Sequence, residues 1–209
     1  PTFYTLYVDN WEYDPVLNTW SQKADFPGTA RYGACGFSIG NKIYVGTGWD
    51  PTGTTDFYEF DPVANIWTPI ANFPGPPRYD AVGFSIGSKG YVGFGYSPNF
   101  NDFYEYDPSI NTWTQKANFP GGVRQSLSTF SINGLGYICC GADAGSTMYN
   151  DLWQFNPGTN TWTQKSNFPG LARYATNGFT LNQMGLVGGG WNISQSLNDY
   201  YLYDPFSDS

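Results

Sequence analysis

An all-β fold made of four copies of one four-stranded antiparallel unit is what this sequence predicts, and three observations lead there. The first is a repeat. Arg31, Arg78, Arg124 and Arg173 are each followed 17 residues later by a glycine: Gly48, Gly95, Gly141 and Gly190. An aspartate closes each following loop: Asp56, Asp102, Asp151 and Asp199. The next arginine always lies 22 residues on, and Asp9 to Arg31 keeps that count, whereas glycine to aspartate varies as 8, 7, 10 and 9 residues. The second observation is composition: 17 Tyr, 16 Phe and 8 Trp are punctuated by 26 Gly and 15 Pro, as in sheets with aromatic faces joined by turns. The third is that no long stretch has the 3.6-residue apolar period of a helix.

The repeat at residues 31–73 shows the unit. Arg31 opens strand a, Tyr32 to Ile39, whose Gly33, Ala34 and Gly36 mark a strand packed too tightly for large side chains. Gly40-Asn41 signals a short turn into strand b, Lys42 to Gly48. The variable loop Trp49 to Thr55 follows, then strand c, Asp56 to Phe60. Asp61-Pro62 opens a turn, because proline presets its φ and the carboxylate accepts local amide protons. Strand d, Ile66 to Ala71, leaves through Phe73-Pro74-Gly75 to the next arginine. Four short antiparallel strands make one blade of a β-propeller. Such a blade buries its faces only by stacking on neighbours, and Trp20, Trp67, Trp113 and Trp162 are expected between blades.

These residues carry a family resemblance. The chain resembles kelch-repeat propellers, which have Gly-Gly ending strand b, an aromatic in strand c and a Trp in strand d. Tyr13, Phe60, Tyr106 and Phe155 each precede their Trp by seven residues, as that pattern requires. The resemblance covers residues 9–205. One departure is that the first glycine of the pair survives only in Gly189-Gly190, with Thr47, Phe94 and Cys140 elsewhere. The branch is divergent, and its Trp-Thr-Gln-Lys-x-Asn-Phe-Pro-Gly repeats resemble those of secreted, cell-surface proteins of Bacteroidetes-type bacteria.

The expected organisation is a single propeller domain or propeller section over residues 1–209. Repeats run approximately 9–56, 56–102, 102–151 and 151–199, with a terminal strand at 199–209. This gives four a strands, four b, five c and four d. Two arrangements are open. The strand around Trp20 could complete the C-terminal sheet and close a ring of four blades, or the chain could be a section of a larger ring, with edges seeking a partner. The start at Pro1, without Met or signal peptide, fits a processed or trimmed piece.

Composition excludes several functions. Net charge −8, with nine Lys and Arg, gives no basic patch for nucleic acid or anionic lipid. No apolar run reaches membrane-spanning length. Without histidine there is no Ser-His-Asp or Cys-His arrangement and no usual zinc site, so no cofactor, metal or catalytic residue is expected. The acidic loop Asp143-Ala144-Gly145-Ser146 lacks the ligand density of a calcium loop. Cys35, Cys139 and Cys140 form no disulfide framework and read as small buried residues. Glu12/Asp14, Glu59/Asp61 and Glu105/Asp107 recur on strand c and suit turns better than acid–base chemistry. Few Lys with many Asn, Thr, Ser, Gly and Tyr lean towards an extracellular or cell-surface setting.

A fixed frame with one variable loop is a scaffold presenting a variable surface. Strand direction puts the d-to-a connections and b-to-c loops on one face. Arg31, Arg78, Arg124 and Arg173 should therefore stand near one mouth of the channel. Trp49, Tyr96 and Trp191 lie at the loop roots, Ala142 replaces the aromatic in the third repeat, and Asp50, Asp143 and Asn192 come next. One reading is a ligand site: guanidinium forks for carboxylates, aromatic faces for sugars or apolar side chains. The resemblance implies the same, since mouth arginines of kelch propellers contact acidic peptides. The other reading gives each arginine to neighbouring loop carbonyls and acidic groups. The expected function is a non-enzymatic module binding protein or glycan, with self-association or completion by another chain as a further possibility. The alternatives are a sugar-acid-processing enzyme resembling sialic-acid epimerases or mutarotases, and a structural subunit of a surface fibre or layer.

Overall fold

The structure is a computed structural model that describes residues 5–98 and 100–209; residues 1–4 of the expected domain span lie outside it. All its regular elements are strands. A hairpin of β1 (Asn10–Asp14) and β2 (Thr19–Lys23) comes first. Blade 1 is β3 (Cys35–Ile39), β4 (Lys42–Gly46), β5 (Phe57–Asp61) and β6 (Ile66–Pro69). Blade 2 is β7 (Val82–Ile86), β8 (Lys89–Gly93), β9 (Phe103–Asp107) and β10 (Thr112–Gln115). Blade 3 is β11 (Ser128–Ile132), β12 (Leu135–Cys139), β13 (Leu152–Asn156) and β14 (Thr161–Lys165). Blade 4 has three strands: β15 (Asn177–Leu181), β16 (Met184–Gly188) and β17 (Tyr200–Tyr203). Neighbours within each sheet are antiparallel and follow chain order, the meander expected of a propeller.

The a strands β3, β7, β11 and β15 stand side by side along the inner rim. They approach so closely that a Cβ on Gly83 would lie 2.8 Å from the Gly36 carbonyl oxygen, and one on Gly178 2.7 Å from that of Thr129. Strand a is shorter than expected because residues 32–34 turn away at Gly33, whose φ is +61°.

Between blades, each a strand drives a phenylalanine onto a glycine of the next b strand. A Cβ on Gly90 would sit 2.1 Å from the Phe37 ring, one on Gly136 2.7 Å from Phe84, and one on Gly185 2.3 Å from Phe130. In blade 1 the corresponding residue is Ile43, which is exposed. At the other end Phe179, in the position of those phenylalanines, is 57% exposed. The strand around Trp20 does not complete the C-terminal sheet. β2 pairs with β1 in the register Tyr13↔Trp20, and among the described residues β17 pairs only with β16.

The tryptophans tie blade to blade. Trp67, Trp113 and Trp162 donate their indole N–H to the carbonyls of Ala24, Ala71 and Ala117 of the preceding sheet, all at 2.9 Å. The amides of those alanines donate to the turn asparagines Asn65, Asn111 and Asn160. Trp113 packs on Phe57 and Phe73, and Trp162 on Phe103 and Phe119.

Candidate functional site

The frame of the mouth is written in Phe-Pro-Gly and the arginine that follows. Arg31, Arg78, Arg124 and Arg173 fold back over Phe26, Phe73, Phe119 and Phe168, 4.7 to 5.1 Å from the ring centroids. The intervening glycine is required by space: a Cβ on Gly75 would lie 2.6 Å from both the Arg78 Nη2 and the Phe73 ring. Thus held, each guanidinium forks onto the aspartate that ends its own variable loop. For Arg78 and Asp102 the two bonds measure 2.5 and 2.7 Å, and the Arg31–Asp56, Arg124–Asp151 and Arg173–Asp199 pairs repeat the geometry. Nη1 of each arginine also donates to the carbonyl of Thr47, Phe94, Cys140 or Gly189.

That carbonyl explains the departure from the Gly-Gly pattern. Thr47, Phe94, Cys140 and Gly189 have φ between +55° and +67°, a left-handed conformation that other residues reach at some cost. The following Gly48, Gly95, Gly141 and Gly190 have φ from +88° to +103°, where a Cβ is strongly disfavoured. The second glycine is therefore kept and the first is free to change. The amides of Gly48, Gly95 and Gly141 donate to the carbonyls of the next blade's Arg78, Arg124 and Arg173, which carries the frame across blades.

Of the two readings of the arginines, the structure has each guanidinium in an internal ion pair. The four arginine side chains are between 0 and 4% exposed. Burial pushes the Asp56 carboxyl up, but the Arg31 bonds and charge outweigh it and hold the group below the usual range. The Arg173 bonds lower Asp199 in the same way. Phe100 and Tyr149 from the variable loops cover Arg78 and Arg124, 4.0 and 3.6 Å from ring centroid to guanidinium.

The loop-root aromatics do share the mouth. The residue after each arginine bridges the residue after each glycine: Tyr32 with Trp49, Tyr79 with Tyr96, Gln125 with Ala142, and Tyr174 with Trp191. Across blades 1 and 2 these residues cluster, with Tyr32, Trp49 and Tyr96 all 5.2 to 5.6 Å from Tyr79 between ring centroids. At blade 3 the small pair Gln125 and Ala142 interrupts the aromatic surface. A recess of about 350 Å³ opens there, walled by Tyr174 and Trp191, with Asp143, Met148 and Ile193 at its rim. Asp50, Asp143 and Asn192 brace their own loops. Asp50 accepts from the Thr29 and Thr52 hydroxyls, Asp143 from the Thr147 amide and Tyr149 hydroxyl, and Asn192 from the Ser194 and Gln195 amides. The Thr29 hydroxyl lowers the Asp50 carboxyl, and the Thr147 amide that of Asp143.

Sequence reasoning passed over Tyr32, Tyr79, Gln125 and Tyr174, although an aromatic directly after three of four arginines was a readable signal. It also passed over Asp80, a half-buried mouth residue whose carboxyl is pushed up by burial.

No curated protein matches the chain. Residues 30–74, which are blade 1 with its flanking arginine and Phe-Pro link, match the Kelch motif. The arginine–aspartate pair, the left-handed residue before the glycine and the strand order of that blade recur in the blades after it, and the strand-d tryptophan recurs in blades 2 and 3. On that evidence the chain is a kelch-repeat β-propeller.

Proposed function

We propose that this chain is a protein-interaction module that takes its partner on the mouth face. Kelch propellers typically bind proteins, and one observation supports a contact on this face. Internal ion pairs hold an invariant frame, and everything between glycine and aspartate differs from blade to blade in length and chemistry. The aromatic cluster around Tyr79 offers an apolar surface, and the recess between blades 3 and 4 receives a protruding side chain of the partner. Buried aromatic anchors in such pockets carry much of an interface's affinity. Few lysines and many Asn, Thr, Ser and Tyr favour an extracellular setting.

A glycan in the same recess is a second reading. It is favoured by Trp191, which keeps 41% of its surface exposed and lines the cavity with the Gln125 amide. A sugar-acid enzyme has less support, because guanidiniums already forked onto aspartates have no free edge for a substrate carboxylate.

The test replaces the four variable loops with short Asn-Gly turns and, separately, fills the recess with Ala142→Trp. Loss of a protein partner in both variants, at unchanged melting temperature, is the expected result. Full binding by the loop-replaced chain would refute the reading. Retention of glycan-array signals with loss of protein binding would separate the two ligand classes.

A further inference from the structure

Every cation of this chain is already engaged. The nine Lys and Arg each form an ion pair with one of the chain's own acids. Asp80 at the mouth is left over. Among the described residues its carboxyl has neither an ion pair nor a side-chain hydrogen bond, and burial alone pushes it up. It is the second residue after Arg78, where the other blades carry Gly33, Ser126 and Ala175. All four residues are left-handed, with φ between +53° and +61°. The Asp80 amide donates to the Gly33 carbonyl, and the Ala175 amide donates to that of Ser126 in the same way. The fold therefore uses the turn at this position and has no use for a carboxylate.

That carboxylate lies over Gly33, where a Cβ would sit 2.8 Å from its Oδ1. Gly33 follows Tyr32 and Asp80 follows Tyr79, so the charge stands beside the aromatic cluster. Burial first, and then Tyr32, Tyr96 and Asp80, push the Tyr79 phenol up. Tyr32 keeps 47% of its surface exposed. Asp50 and Asp143 on the same face take only neutral donors. The same kinds of part hold a guanidinium inside the mouth: Arg78 lies over the Phe73 and Phe100 rings and forks onto Asp102. At the Tyr79 cluster the rings and the aspartate stand together without a guanidinium.

We propose that this patch receives an arginine side chain from a basic segment of a partner protein, its guanidinium paired with Asp80 and stacked on the tyrosine rings beside it. Arginine suits both contacts at once, a planar fork for the carboxylate and a weakly hydrated face for the rings. The inference rests on the mouth-face reading and gives the partner its chemistry: positive charge complements a face whose own arginines are all paired internally.

The probe is a labelled peptide, Gly-Arg-Gly-Arg-Gly, titrated with the full chain and read by anisotropy. Saturable binding is expected, weakened at least about tenfold by Asp80→Asn, as loss of a hydrogen bond to a charged group implies. Thermal melting of that variant confirms that lost binding is not lost structure. Tyr32→Leu should weaken binding about two- to fivefold, whereas Tyr32→Phe keeps the ring and should not. Asp14→Asn, in the β1–β2 turn, removes the same charge away from the mouth and should leave binding unchanged. Gly-Lys-Gly-Lys-Gly should bind more weakly, and Gly-Glu-Gly-Glu-Gly not at all. Parent-like binding by Asp80→Asn, an equal loss in Asp14→Asn, or equal binding of the lysine peptide would overturn the proposal. If it falls while the loop-replaced chain still loses its protein partner, the mouth-face reading stands and only the arginine assignment is wrong.

Discussion

Removing Arg78 tests what holds the mouth together. Its side chain is fully buried and makes four hydrogen bonds: Nε to the Pro76 carbonyl, Nη1 to the Phe94 carbonyl, and the fork to Asp102. Arg78→Ala leaves Asp102, only 15% exposed, without its cation and two carbonyls without donors. Breaking a buried pair on one side costs about 3–5 kcal/mol. At about 2–4 °C per kcal/mol for a chain of this size, the melting temperature is expected to fall by roughly 6–20 °C. Asp102→Ala should cost a similar amount, because it strands the guanidinium. The double variant should cost clearly less than the sum, since its second substitution no longer leaves an unpaired charge. Arg78→Lys should recover little, because one ammonium cannot serve two carbonyls and both carboxylate oxygens. Urea unfolding followed by tryptophan fluorescence measures all four, with Lys89→Ala as a control that breaks the half-exposed Lys89–Asp107 pair and should cost under about 1 kcal/mol. If Arg78→Ala also falls within about 1 kcal/mol of the parent, the ion pair is not what holds the frame.

Three further outcomes are expected. Gly90→Ala places a methyl into the Phe37 ring and should destabilise by about 1–3 kcal/mol, whereas Ile43→Gly at the corresponding blade 1 position should cost about 0.5–1 kcal/mol; equal costs in urea titrations would contradict the Phe-into-Gly contact. Asp80 has its folded value raised by burial, so its contribution to stability is present while it is protonated and is lost as pH rises through that value. Asp80→Asn, which cannot ionise, should therefore melt higher than the parent at pH 7 and match it near pH 3; a gain that persists at low pH would assign the effect to packing. Burial pushes the Cys35 thiol up to about 11, and Cys139 and Cys140 are buried as well, so thiol titration of the folded chain at neutral pH should be silent until denaturant exposes all three.

Most of the architecture was legible in the repeat. The four a, four b, five c and four d strands appear as expected, because turn residues and strand-forming runs recur at fixed intervals. The shared face of arginines and variable loops followed from strand direction alone. The arginine–aspartate pairing was hidden for a specific reason. The constant spacing of 22 residues joins each aspartate to the next arginine, whereas the structure pairs it with the preceding one, 24 to 27 residues back across the variable loop. The conserved count marked the wrong partner. A further readable departure is Ile43, which stands where three other repeats have a glycine. That signal has meaning only once Phe37, Phe84 and Phe130 are seen to need the space.

The staple at the base of each variable loop separates two quantities that usually move together in surface loops, length and cost. With arginine and aspartate clamped, lengthening the loop from 7 to 10 residues adds only about 0.3 kcal/mol of closure entropy on a logarithmic dependence. That is a small fraction of the cost of breaking one buried pair. Insertions between glycine and aspartate are then nearly neutral for the fold while freely altering shape and chemistry at the mouth. Each blade behaves as a cassette with a locked base, suited to drift under selection and to grafting of foreign loops in the laboratory.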